Sequence, residues 1–140
     1  MNESFSNVYA DGKRADAYAQ LEFPGTYFLA FRDLPTLIRK YVSGRIALDF
    51  GCGTGRSTRF LRDLGFDVLG VDIAAEMLER ARRQDPVGRY ELVDEGDLSR
   101  LPSRSFDLIL AAFTFDNIPT LERKQDLLTS WTLFMFGSMN

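Results

Sequence analysis

Three glycines, Gly51, Gly53 and Gly55, follow Asp49 at alternate positions in Ile46–Gly55, I-A-L-D-F-G-C-G-T-G. Glycines spaced this way let the backbone turn sharply. They also let a ligand approach it with no Cβ in the way. Helical spacing starts directly after them, with Phe60, Leu61 and Leu64 on one face. A helix N-terminus there offers unpaired N–H groups and partial positive charge. Asp72 and Asp97 stand at similar junctions further on. A carboxylate at a strand end can accept two hydrogen bonds from the vicinal hydroxyls of a ribose. These residue types suit the holding of a nucleotide.

What is absent narrows the chemistry. The chain has no histidine and one cysteine, Cys52. A histidine-based triad is excluded, as is a disulfide within the chain, and a cysteine/histidine zinc site is nearly so. No metal ligands are assigned. Cys52 reads as a small residue that fits the loop, not as a nucleophile. A net charge of −3 gives no basic footprint, which disfavours nucleic acid as a partner. The N-terminus lacks the pattern of a signal peptide, and no apolar run is long enough for a bilayer. The expectation is a soluble, cytoplasmic chain of one domain, 45% hydrophobic over 140 residues.

The elements that must position these residues alternate. Helical segments are expected near 11–20 and 27–41, with Pro35 kinking or dividing the second. The central strand follows Arg45. Helix 56–64 ends at Gly65, and strand 66–71 runs up to Asp72. Helix 74–84 comes next, with Met77 on its inner face, and then a short strand 89–93. Residues 106–113 form a near-continuous apolar run, as expected of a strand buried on both faces. A helix is expected from Leu121 to about Trp131. Alternation of this kind predicts an α/β fold, a Rossmann-like doubly wound parallel sheet, with ligands at the carboxyl ends of the strands. Asp49, Asp72, Asp97 and Phe113 would converge there.

The loop reads G-x-G-x-G, and Arg56 occupies the position of the third glycine of a dinucleotide fingerprint. Together, L-D-F-G-C-G-T-G, G-V-D-I, and G-D-L before L-P-x-x-S-F-D-L-I-L resemble the class I S-adenosylmethionine-dependent methyltransferases of the type 11 kind. The resemblance spans about residues 44–130. It implies S-adenosylmethionine as cofactor, with S-adenosylhomocysteine as product. The loop Gly51, Cys52, Gly53 and Gly55 would belong to the cofactor site. Asp49, Gly51 and Gly53 would line the methionine end, and Asp72 would bind the ribose. Ile73 and Met77 would pack on the adenine, and Asp97 and the Leu98 backbone would meet its edge. Phe113 would pass beneath the methionine portion. Many relatives carry a histidine pair where this chain has Phe115-Asp116-Asn117; if the reaction uses a base, Asp116 is the best-placed candidate, although residues of this type more often form turns. In-line methyl transfer to a small-molecule acceptor needs no acid or base in principle.

Three regions are expected: an N-terminal helical cap over 1–43, the cofactor-binding core over 44–130, and an atypical apolar tail over 131–140. Tyr18 and Tyr27 of the cap are candidate acceptor contacts. Relatives continue with a proline-glycine-glycine turn and further strands. Here the sequence reads W-T-L-F-M-F-G-S-M-N instead, as if the C-terminal strands were missing or replaced. Leu133–Phe136 could supply a substitute strand, or a second copy could cover the open edge as a homodimer. Two other readings stand beside the enzyme: a non-catalytic remnant that binds cofactor or oligomerises, and a nucleotide-binding oxidoreductase fragment of the NAD type.

Overall fold

The computed structural model describes residues 31–94, 98, 101, 106–112, 114 and 117–136. The expected helix over 11–20, the candidates Tyr18 and Tyr27, and Asp97, Phe113 and Asp116 lie outside the described residues.

Four parallel strands form the sheet: β1 (Ile46–Phe50), β2 (Asp67–Asp72), β3 (Arg89–Leu92) and β4 (Leu108–Leu110). Their order is β3-β2-β1-β4. Ile46 to Phe50 pair in register with Asp67 to Val71, and Ala47 to Asp49 with Leu108 to Leu110. The chain therefore winds outward from β1 through β2 and β3, then crosses to the other side of β1. That reversal makes the carboxyl end of β1 the topological switch point, where such sheets bind ligands.

Period-two alternation gives each face its own core. Leu48, Phe50, Leu69 and Val71 lie on one face with Phe106 and Leu127. Ala47 and Val68 lie on the other with Ile38, Leu61 and Phe66. Four helices complete the described fold: α1 (Leu34–Tyr41), α2 (Arg56–Asp63), α3 (Ala75–Gln84) and α4 (Leu121–Phe136). Helix α1 reaches the Ala47 face through Ile38, and α2 reaches it through Leu61. On the other face α4 contributes Leu127, and its Trp131 meets the Phe50 ring edge-on at 5.0 Å between centroids.

One open expectation is resolved and two change. Pro35 divides its segment: the chain bends at Asp33, and α1 begins at Leu34 with the proline in its first turn, where its missing N–H costs nothing. Strand β4 has three residues, not eight, and they are half-buried. Among the described residues it is an edge strand, paired with β1 alone along Ala47–Asp49. Residues 133–136 form no strand; they continue α4 to Phe136, where helical bonds within the segment satisfy the backbone.

Candidate cofactor site

Asp49 is the fourth residue of β1 and is fully buried. By alternation it shares the Ala47 face and lies beneath the start of α2. The hydroxyls of Ser57 and Thr58 both donate to its Oδ2, at 2.6 and 2.7 Å. Oδ1 has no hydrogen-bond partner among the described residues. Burial pushes this carboxyl up from 3.8 to about 6. The two hydroxyl bonds pull it back, and the neighbouring Asp72 charge adds to the rise.

Asp72 ends β2, half-buried. Its Oδ2 accepts the Gly53 N–H at 2.8 Å, and its Oδ1 accepts the Ala74 N–H at 2.9 Å. The second bond is a local turn that starts α3. Burial raises this carboxyl too, against the backbone donors of Ala74, Gly53 and Ile73.

The loop between them is held from several sides. The carbonyl of Val71 accepts the N–H groups of Gly51 (2.8 Å) and Cys52 (3.0 Å). Gly51 and Gly55 adopt φ of 78° and 88°, a region that costs other residues energy. Gly51 is also crowded: a Cβ there would fall on the side chain of Thr114, whose hydroxyl donates to the Gly51 carbonyl at 3.3 Å. Arg59 donates to the Thr54 carbonyl at 3.0 Å.

The sequence-predicted residues divide into groups. Asp49, Gly51, Gly53, Gly55 and Asp72 come together at the carboxyl ends of β1 and β2. Ile73 follows at the end of β2, half-buried against the Leu48 core. Met77 is buried, with 2% of its surface open. The Leu98 side chain belongs to the Leu48 core. Cys52 turns its side chain into a cluster with Leu78, Ala81 and Tyr90. Burial, then the Asp49 and Asp72 charges, push its thiol far above the ordinary value, so it stays protonated. Past β4, the N–H of Asn117 bonds the Thr114 carbonyl at 3.1 Å in a turn.

Ser57, Thr58 and Thr114 were not singled out from the sequence. The signal was present: two adjacent hydroxyls in the first turn of the helix after the loop, and one threonine beside an apolar run.

A methyltransferase-domain family model matches residues 47–132. The chain belongs to the class I S-adenosylmethionine-dependent methyltransferases. The resemblance of the glycine loop and the strand ends is thereby upheld, as is the Rossmann-like parallel sheet. Among relatives, a malonyl-(acyl-carrier protein) O-methyltransferase of Pectobacterium atrosepticum is 47% identical over 60 residues, 43% of this chain and 22% of its own length. A demethylmenaquinone methyltransferase of Tropheryma whipplei is 37% identical over 84 residues, 57% of this chain and 34% of its own. This methyltransferase chain thus spans between a fifth and about a third of the length of those two relatives. Among solved structures, Streptomyces venezuelae DesVI superposes with a TM-score of 0.73 at 23% identity, over 89% of this chain and 53% of that one. An S-adenosylmethionine-dependent methyltransferase from Mesorhizobium loti gives 0.56 at 30% identity, over 73% and 48%. Among the described residues of the methyltransferase, no helix is long and apolar enough to cross a membrane.

Proposed function

We propose that this chain binds S-adenosylmethionine at the carboxyl ends of β1 and β2 and serves transfer of its methyl group to a small organic acceptor. The observation that carries this reading is the pair of strand-end carboxylates flanking the glycine loop. Asp72 is anchored to Gly53 and Ala74, while Asp49 keeps one buried oxygen unpartnered. A buried acceptor without a donor is costly, and a ligand cation would satisfy it. The α-ammonium of a bound amino acid is such a donor, directly or through one water.

The residues fit the cofactor in both halves. Asp49 and the loop Gly51–Gly55 would hold the methionine portion. Asp72 would accept the ribose hydroxyls, and Ile73 would flank the base. Asp97, Leu98 and Phe113 would complete the adenine and methionine sides, with Met77 beneath. When bound, S-adenosylmethionine supplies a methyl group already activated by its sulfonium charge. The protein's share is then to orient and to exclude water. No titrating base among the described residues is assigned to the step; if one is used, Asp116 is the best-placed candidate in the sequence.

Relatives are named for a malonyl group on a carrier protein and for a menaquinone precursor. Those acceptors share no single chemistry beyond being organic groups of modest size, and the reading is held at that level. The test is calorimetric titration with S-adenosylmethionine and S-adenosylhomocysteine, with NADH as control, on wild type and Asp72→Ala. Binding of the first two, lost in the variant, is expected. A folded wild type that binds neither, or that binds NADH alone, overturns the reading.

A further inference from the structure

A polar cluster of Arg62, Asp85 and Tyr90 adjoins the glycine loop. Its centre is Asp85, the buried residue that closes α3. Both of its oxygens are occupied. Arg62 donates to Oδ2 at 2.8 Å and to Oδ1 at 2.9 Å. The Tyr90 hydroxyl donates to Oδ2 at 2.7 Å. Arg62 belongs to the last turn of α2, and Tyr90 is the second residue of β3. One carboxylate therefore ties two helices to an edge strand.

The Tyr90 ring carries that tie to the loop. Tyr90 pairs in register with Gly70 of β2. A Cβ on Gly70 would come within 2.8 Å of Thr58 Oγ1 and 2.9 Å of Tyr90 Cδ1, so the missing side chain makes room for the ring. From there the ring packs with Cys52, Leu78 and Ala81. A Cβ on Gly55 would overlap the Tyr90 hydroxyl. Gly55, in its left-handed conformation, is the N-cap of α2. Tyr90 thus lies against two loop positions, 52 and 55, while its hydroxyl is fixed from α3.

We propose that Tyr90, held by Asp85 and Arg62, is a positioning residue for the cofactor loop, setting where Gly55 and the N-terminal end of α2 stand. The inference rests on the cofactor reading given above. The chemistry of the cluster suits a fixed brace. Burial and the Asp85 carboxylate both raise the Tyr90 phenol, so it remains a protonated donor. Burial alone would raise Asp85, but the bonds from Arg62 and Tyr90 and the Arg62 charge outweigh it and hold the group below its ordinary value. A bidentate arginine also fixes the carboxylate's orientation, which a single point charge would not.

The experiment compares wild type, Tyr90→Phe and Asp85→Asn, with Tyr41→Phe as an exposed control. S-adenosylhomocysteine affinity is read by calorimetry well below each melting temperature. The amide resonances of Gly53 and Gly55 are read in ligand-free protein. Tyr90→Phe keeps the ring and removes one oxygen. Its affinity is expected to fall by about tenfold, since loosening a supporting shell misplaces the groups it carries. The Gly55 amide is expected to shift and exchange faster. Asp85→Asn should move both readouts the same way and serves if the first variant does not fold. A lowered melting temperature with wild-type affinity and unshifted Gly55 overturns the proposal, because Tyr90 would then only stabilise. If wild type binds no cofactor, the cofactor reading fails instead. The Gly55 amide then decides on its own whether Tyr90 places the loop.

Discussion

Asp72 Oδ2 accepts the N–H of Gly53 at 2.8 Å, so the last residue of β2 grips the middle of the loop that leaves β1. Its other oxygen starts α3 through Ala74. One side chain therefore joins two strand–helix junctions before any ligand arrives. Removing it should remove the grip and, on the proposed cofactor reading, the acceptor for ribose hydroxyls.

Asp72→Ala is expected to weaken S-adenosylhomocysteine binding by roughly a hundredfold, the equivalent of about 3 kcal/mol of charge-assisted hydrogen bonding. Asp72→Asn should not restore it. An amide has one acceptor oxygen, and with that oxygen on Ala74 its NH2 group would face the Gly53 N–H, donor against donor. Calorimetry on both variants checks this, and wild-type affinity in Asp72→Asn would show that the second oxygen is idle.

Gly51→Ala should be destabilising for two separable reasons. The φ of 78° costs an alanine on the order of 1 kcal/mol, and its Cβ would meet Thr114. Adding Thr114→Ala removes the second reason and leaves the first. Thermal melts should therefore place the double variant between Gly51→Ala and wild type. A double variant no better than the single one would locate the whole cost in the backbone.

The strand–loop–helix unit was legible because its signals are local. The short apolar run I-A-L before Asp49, glycine punctuation and the helical spacing of Phe60, Leu61 and Leu64 all act within a few residues. Asp49 and Asp72 could be placed because they lie next to and at the carboxyl ends of strands, respectively. The extent of β4 was not legible. An apolar run records burial, whereas strand length depends on how far the neighbour's backbone runs alongside, here Ala47–Asp49. Leu133–Phe136 has the same ambiguity, since apolar residues suit a helix as well as a strand. Tyr90 and Asp85 were invisible for a tertiary reason. Nothing in R-Y-E-L or Q-D-P-V-G shows that Arg62, Asp85 and Tyr90 meet, because they come from three elements.

Cys52 illustrates how position misleads about reactivity. It lies within the loop, yet burial and two neighbouring carboxylates keep its thiol protonated. The native protein should not react with an aromatic disulfide reagent at pH 8 over a time in which denatured protein reacts fully. Prompt reaction of native protein would mean that the loop opens and exposes the sulfur.

Stability and cofactor affinity should respond to pH with opposite signs, and Asp49 is the reason. In the folded chain its carboxyl is raised to about 6, against about 3.9 when unfolded. Between those values the folded state binds more protons, so stability rises as pH falls. Asp72, also raised, acts in the same direction. Asp85, held low by its partners, withdraws its contribution only as pH falls below the ordinary carboxylate range. Between pH 7.5 and 4, Asp49 should add roughly 2 kcal/mol to the folded state, a contribution that Asp49→Asn would lack while keeping that of Asp72. An ammonium partner requires the ionised form, so affinity should fall by about tenfold from pH 7 to 5 in wild type and stay flat in Asp49→Asn. Melting curves and titrations across that range on both proteins check the pair of trends. An affinity independent of pH in wild type would remove Asp49 from contact with the cofactor's ammonium, while the stability trend would still report its burial.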